Sequence, residues 1–509
     1  MVAFGVFVSV LPLFYILLRT AQIGIDELLG NLLRARTWEL IYNSLSLTLV
    51  VCLTAMTVGT AQAWLSFRSD LGFRRLFQIV AILPLAMPSY VLAYAWLSVR
   101  SEINGFVGSW LVLSISTTPY VFLAVSAAFN RHSGAGEEVA RTLGRSQMSV
   151  ARTITWPAIR SAVFGSGLLV ALYTLSDFGA VSLMRYDTFT RAIYNAYRAS
   201  FDRNSAAALA LVLVLLTVIL IRIVSRFGSL QAVKSAGQYR AMQTKLGNWK
   251  IPAYIFLVSW FAVGVLVPIL SIFYWTVVGQ SQSNLGEITR AFLNTISYGF
   301  VGGLTVAFVG LAVAILAVRY QSKYSIKVER LILITHALPG VVVALSFVFL
   351  VNQSVPSLYQ TSALVLLAYL ALFLPNAVAV LKVPISQVPT GIEEVSRTLG
   401  SSQIQTLRRV VIPAAAPGIL SATAFVGLTV IKELPATLIL RPTGIETLAT
   451  RLWSATSVSA FSAAAPYALL LILVAGIPAL FVNREIRASQ NRSNLVTAVS
   501  NDVSVSEVR

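Results

Sequence analysis

Two stretches of this chain carry residues whose order suggests work. Glu137, Glu138, Ala140 and Gly144 stand in Glu137-Glu-Val-Ala-Arg-Thr-Leu-Gly144, followed by Pro157. Glu393, Glu394, Ser396 and Gly400 stand in Glu393-Glu-Val-Ser-Arg-Thr-Leu-Gly400, followed by Pro413. The copies lie 256 residues apart, and 12 of 24 positions agree between 137–160 and 393–416. Unrelated segments of ordinary composition would share roughly one or two. Neither copy holds a nucleophile with a base, or a metal-ligand set. Their chemistry is mechanical. Each acidic pair suits the positive end of a first helical turn. Each glycine follows leucine, where a left-handed residue ends a helix. Ser146 and Ser402 suit the cap of a second short helix, and Pro157 and Pro413 the first turn of the next span. In the second copy Thr390-Gly-Ile-Glu393 reads as a capping box, with Glu393 returning a bond to the cap. The outcome is a rigid helix–turn–helix knuckle that can pass a push from a soluble partner into the next segment. An ordinary connector is the bland alternative, and its repetition at matched positions argues against it.

Those knuckles must be held by something, and composition says what. Of 509 residues 57% are hydrophobic and 11% charged, with mean hydropathy +0.79. Soluble domains carry about 25% charged residues. The solvent is therefore largely lipid, and the expected fold is an all-α polytopic membrane protein. Twelve apolar helices are expected, near 1–20, 41–66, 76–99, 107–129, 161–183 and 206–221, then 251–278, 293–318, 331–352, 362–381, 417–440 and 464–483. This organises the chain as a first half (1–221), a polar linker (222–250), a second half (251–483) and a polar tail (484–509) expected to be disordered. With both termini cytoplasmic, inner loops hold 26 Lys and Arg and outer segments 11, the direction of the positive-inside rule. Residues 1–20 lack a basic leader and a cleavage site, and read as an uncleaved span. The net charge of +19 belongs to those loops. No basic stretch interleaves aromatics, so no nucleic-acid partner is expected.

The halves match beyond the knuckles. Pro119 pairs with Pro375 and Asp177 with Glu433 at offset 256; Asn43 pairs with Asn294 and Pro88 with Pro339 at offset 251. Six spans per half is an even number, so the repeats run parallel, related by an axis along the membrane normal. Asp177 and Glu433 are the acidic residues inside spans, with Lys432 beside the latter. Intramembrane ionisable groups are functional candidates, here for a translocation pathway, toward its outer half. Their structural alternatives are a Lys432–Glu433 pair and a cap on a bent helix at Asp177. His132 and His336 make no metal site, and the single cysteine, Cys52, allows neither a disulfide within the chain nor a cysteine cluster. No metal site is expected, no catalytic constellation appears, and no phosphate-binding G-x-x-x-x-G-K-[ST] loop occurs.

Glu138-Val-Ala140 with Gly144, Ile154 and Pro157, and Glu394-Val-Ser396 with Gly400 and Pro413, resemble the E-A-A…G…I-x-L-P signature of bacterial ABC importer permeases. Val stands for the first Ala in both copies, Ser396 for the second, Trp156 for Leu and Val410 for Ile. The resemblance spans essentially the whole chain and implies the type I ABC importer permease fold. It implies that each loop forms a coupling helix docking on one of two ATP-binding subunits, with ATP and Mg bound there and no cofactor in this chain. It also implies a bacterial inner-membrane location and a periplasmic solute-binding protein as partner. Arg185 and Arg441, matched at the outer ends of their spans, are candidates for docking that protein, with lipid headgroups as the alternative. Leu83-Pro-Leu-Ala-Met-Pro-Ser-Tyr-Val-Leu-Ala-Tyr-Ala-Trp96, Phe189-Thr-Arg-Ala-Ile-Tyr194 and Leu434-Pro-Ala-Thr437 look like the ferric-iron branch. Thiosulfate, phosphonate or polyamine remain alternatives, as does an ion-coupled secondary transporter.

Overall fold

The computed structural model describes residues 1–23, 25–131, 135–198, 203–225, 244–279, 284–320, 322–335 and 338–476. His132, His336, most of the linker and the polar tail lie outside them. Among the described residues the chain is helical, with one isolated bridge, Ser69 to Thr244, and no strand. Its first half comprises α1 (Val2–Ile23), α2 (Ile25–Leu33), α3 (Ala35–Arg68), α4 (Arg74–Ile82), α5 (Ser89–Val99), α6 (Gly105–Arg131), α7 (Ala135–Thr142), α8 (Gln147–Ser176), α9 (Gly179–Leu183), α10 (Phe189–Arg198) and α11 (Arg203–Ser225). The second comprises α12 (Gly247–Val277), α13 (Leu285–Arg319), α14 (Lys323–Thr335), α15 (Gly340–Ser354), α16 (Ser362–Gln387), α17 (Thr390–Thr398), α18 (Gln403–Ile431), α19 (Pro435–Leu440), α20 (Leu448–Ser457) and α21 (Phe461–Gly476).

Nine of these are long and apolar enough to cross a membrane. The pair 74–86 and 89–99, bent by 94°, and the shorter apolar α15 and α21 match the remaining three expected spans. Four of the expected spans are not continuous. The run 76–99 breaks at Met87-Pro88, and 331–352 divides into α14 and α15. The run 161–183 ends at Ser176, and 417–440 ends at Ile431, each resuming as a short helix. A proline supplies no N–H, and a carboxylate can take the amides that start the next helix. Both devices interrupt the backbone at single residues within runs that stay apolar around them. The helices α2, α10 and α20 fall in stretches expected as loops.

Proline also explains three local distortions. Ala151–Thr155, Ala262–Leu266 and Leu407–Val411 are π-turns inside longer helices. Each ends two residues before a proline: Pro157, Pro268 or Pro413. The ring pushes away the carbonyl four residues back and offers it no donor, and the preceding turn widens.

The sequence halves are not the packed units. α1 lies mainly on the second half, while Arg19 still bonds Asn204 of its own half at 2.8 Å. A Cβ on Gly5 would sit 2.6 Å from Val309, Tyr15 stacks on Phe349 at 5.6 Å, and the Ser346 hydroxyl donates to the Pro12 carbonyl at 3.4 Å. α12 returns the exchange. Gly264 faces Ile115 and Pro84, Ser271 bonds Ser98 at 2.6 Å, and the Trp275 indole donates to the Ser98 carbonyl at 3.2 Å. Within the second half α13 and α18 approach closely: a Cβ on Gly303 would lie 2.8 Å from the Gly427 Cα. Small residues are what let helices approach in lipid, where no hydrophobic effect drives them together.

Candidate functional site

The two knuckles have one construction. α7 ends on Gly144 at φ +79° and α17 leads into Gly400 at φ +90°. Arg145 N donates to the Ala140 carbonyl at 3.0 Å and Ser401 N to the Ser396 carbonyl at 3.1 Å, closing a Schellman turn in each copy. A Cβ at either glycine would meet nothing within 4 Å, so the demand for glycine is the left-handed backbone alone. Ser146 then accepts from Ser149 N and Ser402 from Gln405 N, each at 3.3 Å.

The capping box expected at Thr390 is not formed. The cap is Pro389, which has no side-chain acceptor. Glu393 instead turns to Arg319 at the end of α13, Nε to Oε1 at 2.7 Å, with both side chains under 10% exposed. A pairing of two opposite full charges in a low-dielectric setting outweighs a carboxylate's bond to a single backbone amide. Arg319 also donates to the Ile385 and Val388 carbonyls at 2.9 Å each, so one guanidinium fastens the knuckle to the end of α16. The first copy is looser. Arg68 at the end of α3 reaches Glu137 at 3.4 Å, and Glu137 accepts from the Thr155 hydroxyl at 2.9 Å. Arg68 and Arg319 are 251 residues apart. Sequence reasoning missed both, although each closes a span and repeats at the offset of that part of the half.

With Glu137 and Glu393 turned inward, the knuckles present apolar side chains outward. Val139, Leu143 and Met148 are exposed in one; Val395, Leu399 and Ile404 in the other, with Leu143 at 76% and Leu399 at 80%. Ala140 is buried, while Glu394 is exposed. Beside the first knuckle the linker is pinned. Thr244 N donates to the Arg68 carbonyl at 2.8 Å, Asp70 accepts from Leu246 N at 2.9 Å, and Lys250 reaches Asp70 at 2.8 Å. The Lys250 ammonium holds the Asp70 carboxyl below its ordinary range.

Asp177 and Glu433 occupy matching breaks. Asp177 accepts from Ala180 N at 2.9 Å, from Val181 N at 3.3 Å and from the Ser89 hydroxyl at 2.5 Å. Glu433 accepts from Ala436 N at 2.9 Å, from Thr437 N at 3.0 Å and from the Thr437 hydroxyl at 2.8 Å. Both carboxylates are thus spent on the amides that open α9 and α19. The exchange is complementary across halves. Gly340 stands at the position matching Ser89, and a Cβ there would lie 3.0 Å from Glu433 Oε1. The longer acid fits because its neighbour has no side chain. Lys432 does not pair with Glu433 among the described residues; its Nζ donates to the Leu85 carbonyl of the first half at 2.8 Å.

At the opposite end from the knuckles the matched arginines differ. Arg441 is tied to Glu446 at 2.9 Å and to the Ile445 carbonyl at 2.9 Å. Arg185 is exposed and holds a left-handed φ of 55°. Asn43 Nδ2 donates to the Asp187 carbonyl at 3.1 Å and its repeat Asn294 to the Glu446 carbonyl at 2.9 Å. The repeated asparagines thus fasten the loops that carry α10 and α20. Among the described residues no three His, Cys, Asp or Glu side chains group as metal ligands.

Comparison with known proteins bears on this architecture. Residues 307–488 match the family described as the binding-protein-dependent transport system inner membrane component. The Fe(3+)-transport system permease protein FbpB 2 of Haemophilus influenzae is 33% identical over 482 residues, covering 93% of this chain and 95% of its own. A putative ferric transport system permease protein, FbpB 1, of the same organism is 24% identical over 76% of this chain and 68% of its own. The molybdenum transport system permease protein ModB of Escherichia coli is 27% identical over 205 residues, which is 89% of its length but 36% of this chain.

Proposed function

The chain belongs to the inner-membrane permeases of binding-protein-dependent transport, in the branch of the Fe(3+)-transport system permeases, and from that premise we propose that it is the membrane subunit of an ATP-driven ferric-iron importer. Iron, captured by a solute-binding protein outside, crosses between the two halves. ATP is hydrolysed on two partner subunits, one under each knuckle. The chain is multi-pass in the inner membrane with both termini and both knuckles cytoplasmic. It contributes no catalytic residue and no cofactor of its own.

The observation that carries this reading is the pair of knuckles. Each offers an apolar surface (Val139, Leu143 and Met148, or Val395, Leu399 and Ile404) that water does not favour. Each is fastened through an acid–arginine contact to the end of the second span of its half. A push on that surface is carried into α8 or α18, which lead to Asp177 and Glu433. Those residues shape the pathway by holding its two helix breaks in place, and Lys432 lies at the same level. Ferric iron prefers hard oxygen ligands, but a conduit must release what it binds. Carboxylates already engaged by backbone amides suit passage better than capture. Arg185 is the freer of the matched arginines for the binding protein.

The test is co-expression with ATPase subunits in nanodiscs, reading complex formation and vanadate-sensitive hydrolysis stimulated by iron-loaded binding protein. Gly144→Asp with Gly400→Asp should abolish coupled hydrolysis and uptake. Assembly and uptake that survive this pair, or uptake driven by an ion gradient without nucleotide, overturn the reading.

A further inference from the structure

Lys432 poses a problem in the membrane interior. It sits at the end of α18, where the span breaks, with no carboxylate within 4.0 Å among the described residues. Its bond goes instead to a backbone carbonyl of the other half, Leu85. That carbonyl is available for a reason written in the sequence. Leu85 lies in the 3-10 turn Leu83–Ala86, and the residue three further on, whose N–H would continue the turn, is Pro88. Proline has no N–H. The bend of 94° between 74–86 and 89–99 carries the chain away from a continuing helix. An orphaned carbonyl in a dry setting needs a donor, and the donor comes from the opposite half. The arrangement has no twin: the residue matching Lys432 at offset 256 is Ser176, whose hydroxyl bonds within its own helix to the Leu172 carbonyl at 2.7 Å.

The two partners stand at the breaks of opposite halves. Lys432 adjoins Glu433, whose carboxylate starts α19, and Leu85 lies shortly before Ser89, whose hydroxyl holds Asp177. Passage of cargo between the halves at this level requires them to part, and the Lys432–Leu85 bond crosses the line of parting. We propose that Lys432 is a latch residue, a one-sided tether that holds the pathway shut at rest and must release for transport. This deepens the reading of the chain as an ATP-driven permease and rests on it. A charge-assisted bond is among the stronger single contacts available. It is still weak enough for binding-protein docking and nucleotide to break.

The test uses the assembled complex in nanodiscs. Lys432→Met should raise hydrolysis in the absence of binding protein by about tenfold, the scale of one such bond, and lower the stimulation by loaded binding protein accordingly. Lys432→Arg, which keeps a cationic donor, should stay near wild type. Lys432→Cys in a Cys52→Ser background should show the raised rate. Alkylation with bromoethylamine, which rebuilds a lysine-length ammonium, should lower it again, whereas methylation of the thiol should not. Wild-type basal rate and stimulation in an assembled Lys432→Met complex overturn the latch. So does failure of both Lys432→Met and Lys432→Cys to assemble, which would make the bond part of the fold. If the wild-type complex itself shows no stimulated hydrolysis, the ATP-driven reading fails first, and that result is separate.

Discussion

Arg319→Met isolates the anchoring of the second knuckle. The substitution keeps most of the apolar stem and removes the guanidinium. Glu393 is left buried with its nearest cation gone, and the Ile385 and Val388 carbonyls lose their donor. Removing one partner of a buried pair costs about 3–5 kcal/mol. The remaining contact to Arg397, at 4.0 Å from a half-exposed side chain, recovers little of that. At roughly 1.4 kcal/mol per decade, the ordered knuckle loses at least about a hundredfold against its unanchored forms. The assay is the affinity of purified ATPase subunits for the permease in nanodiscs, run as a double-mutant cycle with Glu393→Gln. The double variant should bind better than the sum of the single losses predicts, with a coupling of about 2 kcal/mol. The matching cycle of Arg68→Met and Glu137→Gln should give a smaller coupling, because that contact is longer at 3.4 Å and Glu137 has Thr155 as a second partner. An additive cycle at Arg319–Glu393, within about 0.5 kcal/mol, would show that the arginine does not act through this glutamate and refute the reasoning.

Three further outcomes are expected from the same geometry. Gly144→Ala and Gly400→Ala should each cost about 1–2 kcal/mol of knuckle stability, from the left-handed backbone alone, and Asn at either site should cost less; thermal unfolding of the purified permease checks the order. Gly340→Ser should impair uptake because its side chain presses on Pro435 and Glu433, and adding Glu433→Asp with Pro435→Gly should restore it by recreating the arrangement of Ser89, Asp177 and Gly179; no restoration in radiolabelled-iron uptake refutes the exchange. Asp70→Asn should speed tryptic cleavage at Lys245 and Lys250 by freeing the linker. Because Lys250 lowers the Asp70 carboxyl, the tether is present above the ordinary aspartate value of about 4 and is lost only as pH falls through the lower folded value. The difference from wild type should therefore be constant between about pH 5 and 8 and close only in stronger acid.

The knuckles were legible because their chemistry is local. Gly144, Ser146, Gly400 and Ser402 act on backbone within a few residues, and the repeat marks them twice. Nine of the expected spans were legible from hydropathy for the same reason. The break at Glu433 was not, and that at Asp177 was foreseen only as the alternative to a pathway role, since one carboxylate in a run of apolar residues looks the same whether it lines a path or caps a helix. The partner of Glu393 was misread for a related reason: Thr390 offered a cap next door, whereas Arg319 is distant in sequence and prevailed through charge. The crossing of α1 and α12 leaves no periodic trace at all. It is a property of which apolar faces meet, and Gly5 meeting Val309 has no local signature.

That crossing sets a timetable for synthesis. Most of the groups that receive the first span lie between Val309 and Leu374, some 300 residues or more behind it on the ribosome. At about 5–20 residues per second the opening helix waits roughly 15–60 s in the bilayer before its resting place exists. Joining both halves in one polypeptide keeps that early helix tethered to the very segment it is waiting for, so it does not have to find a separately made companion by diffusion.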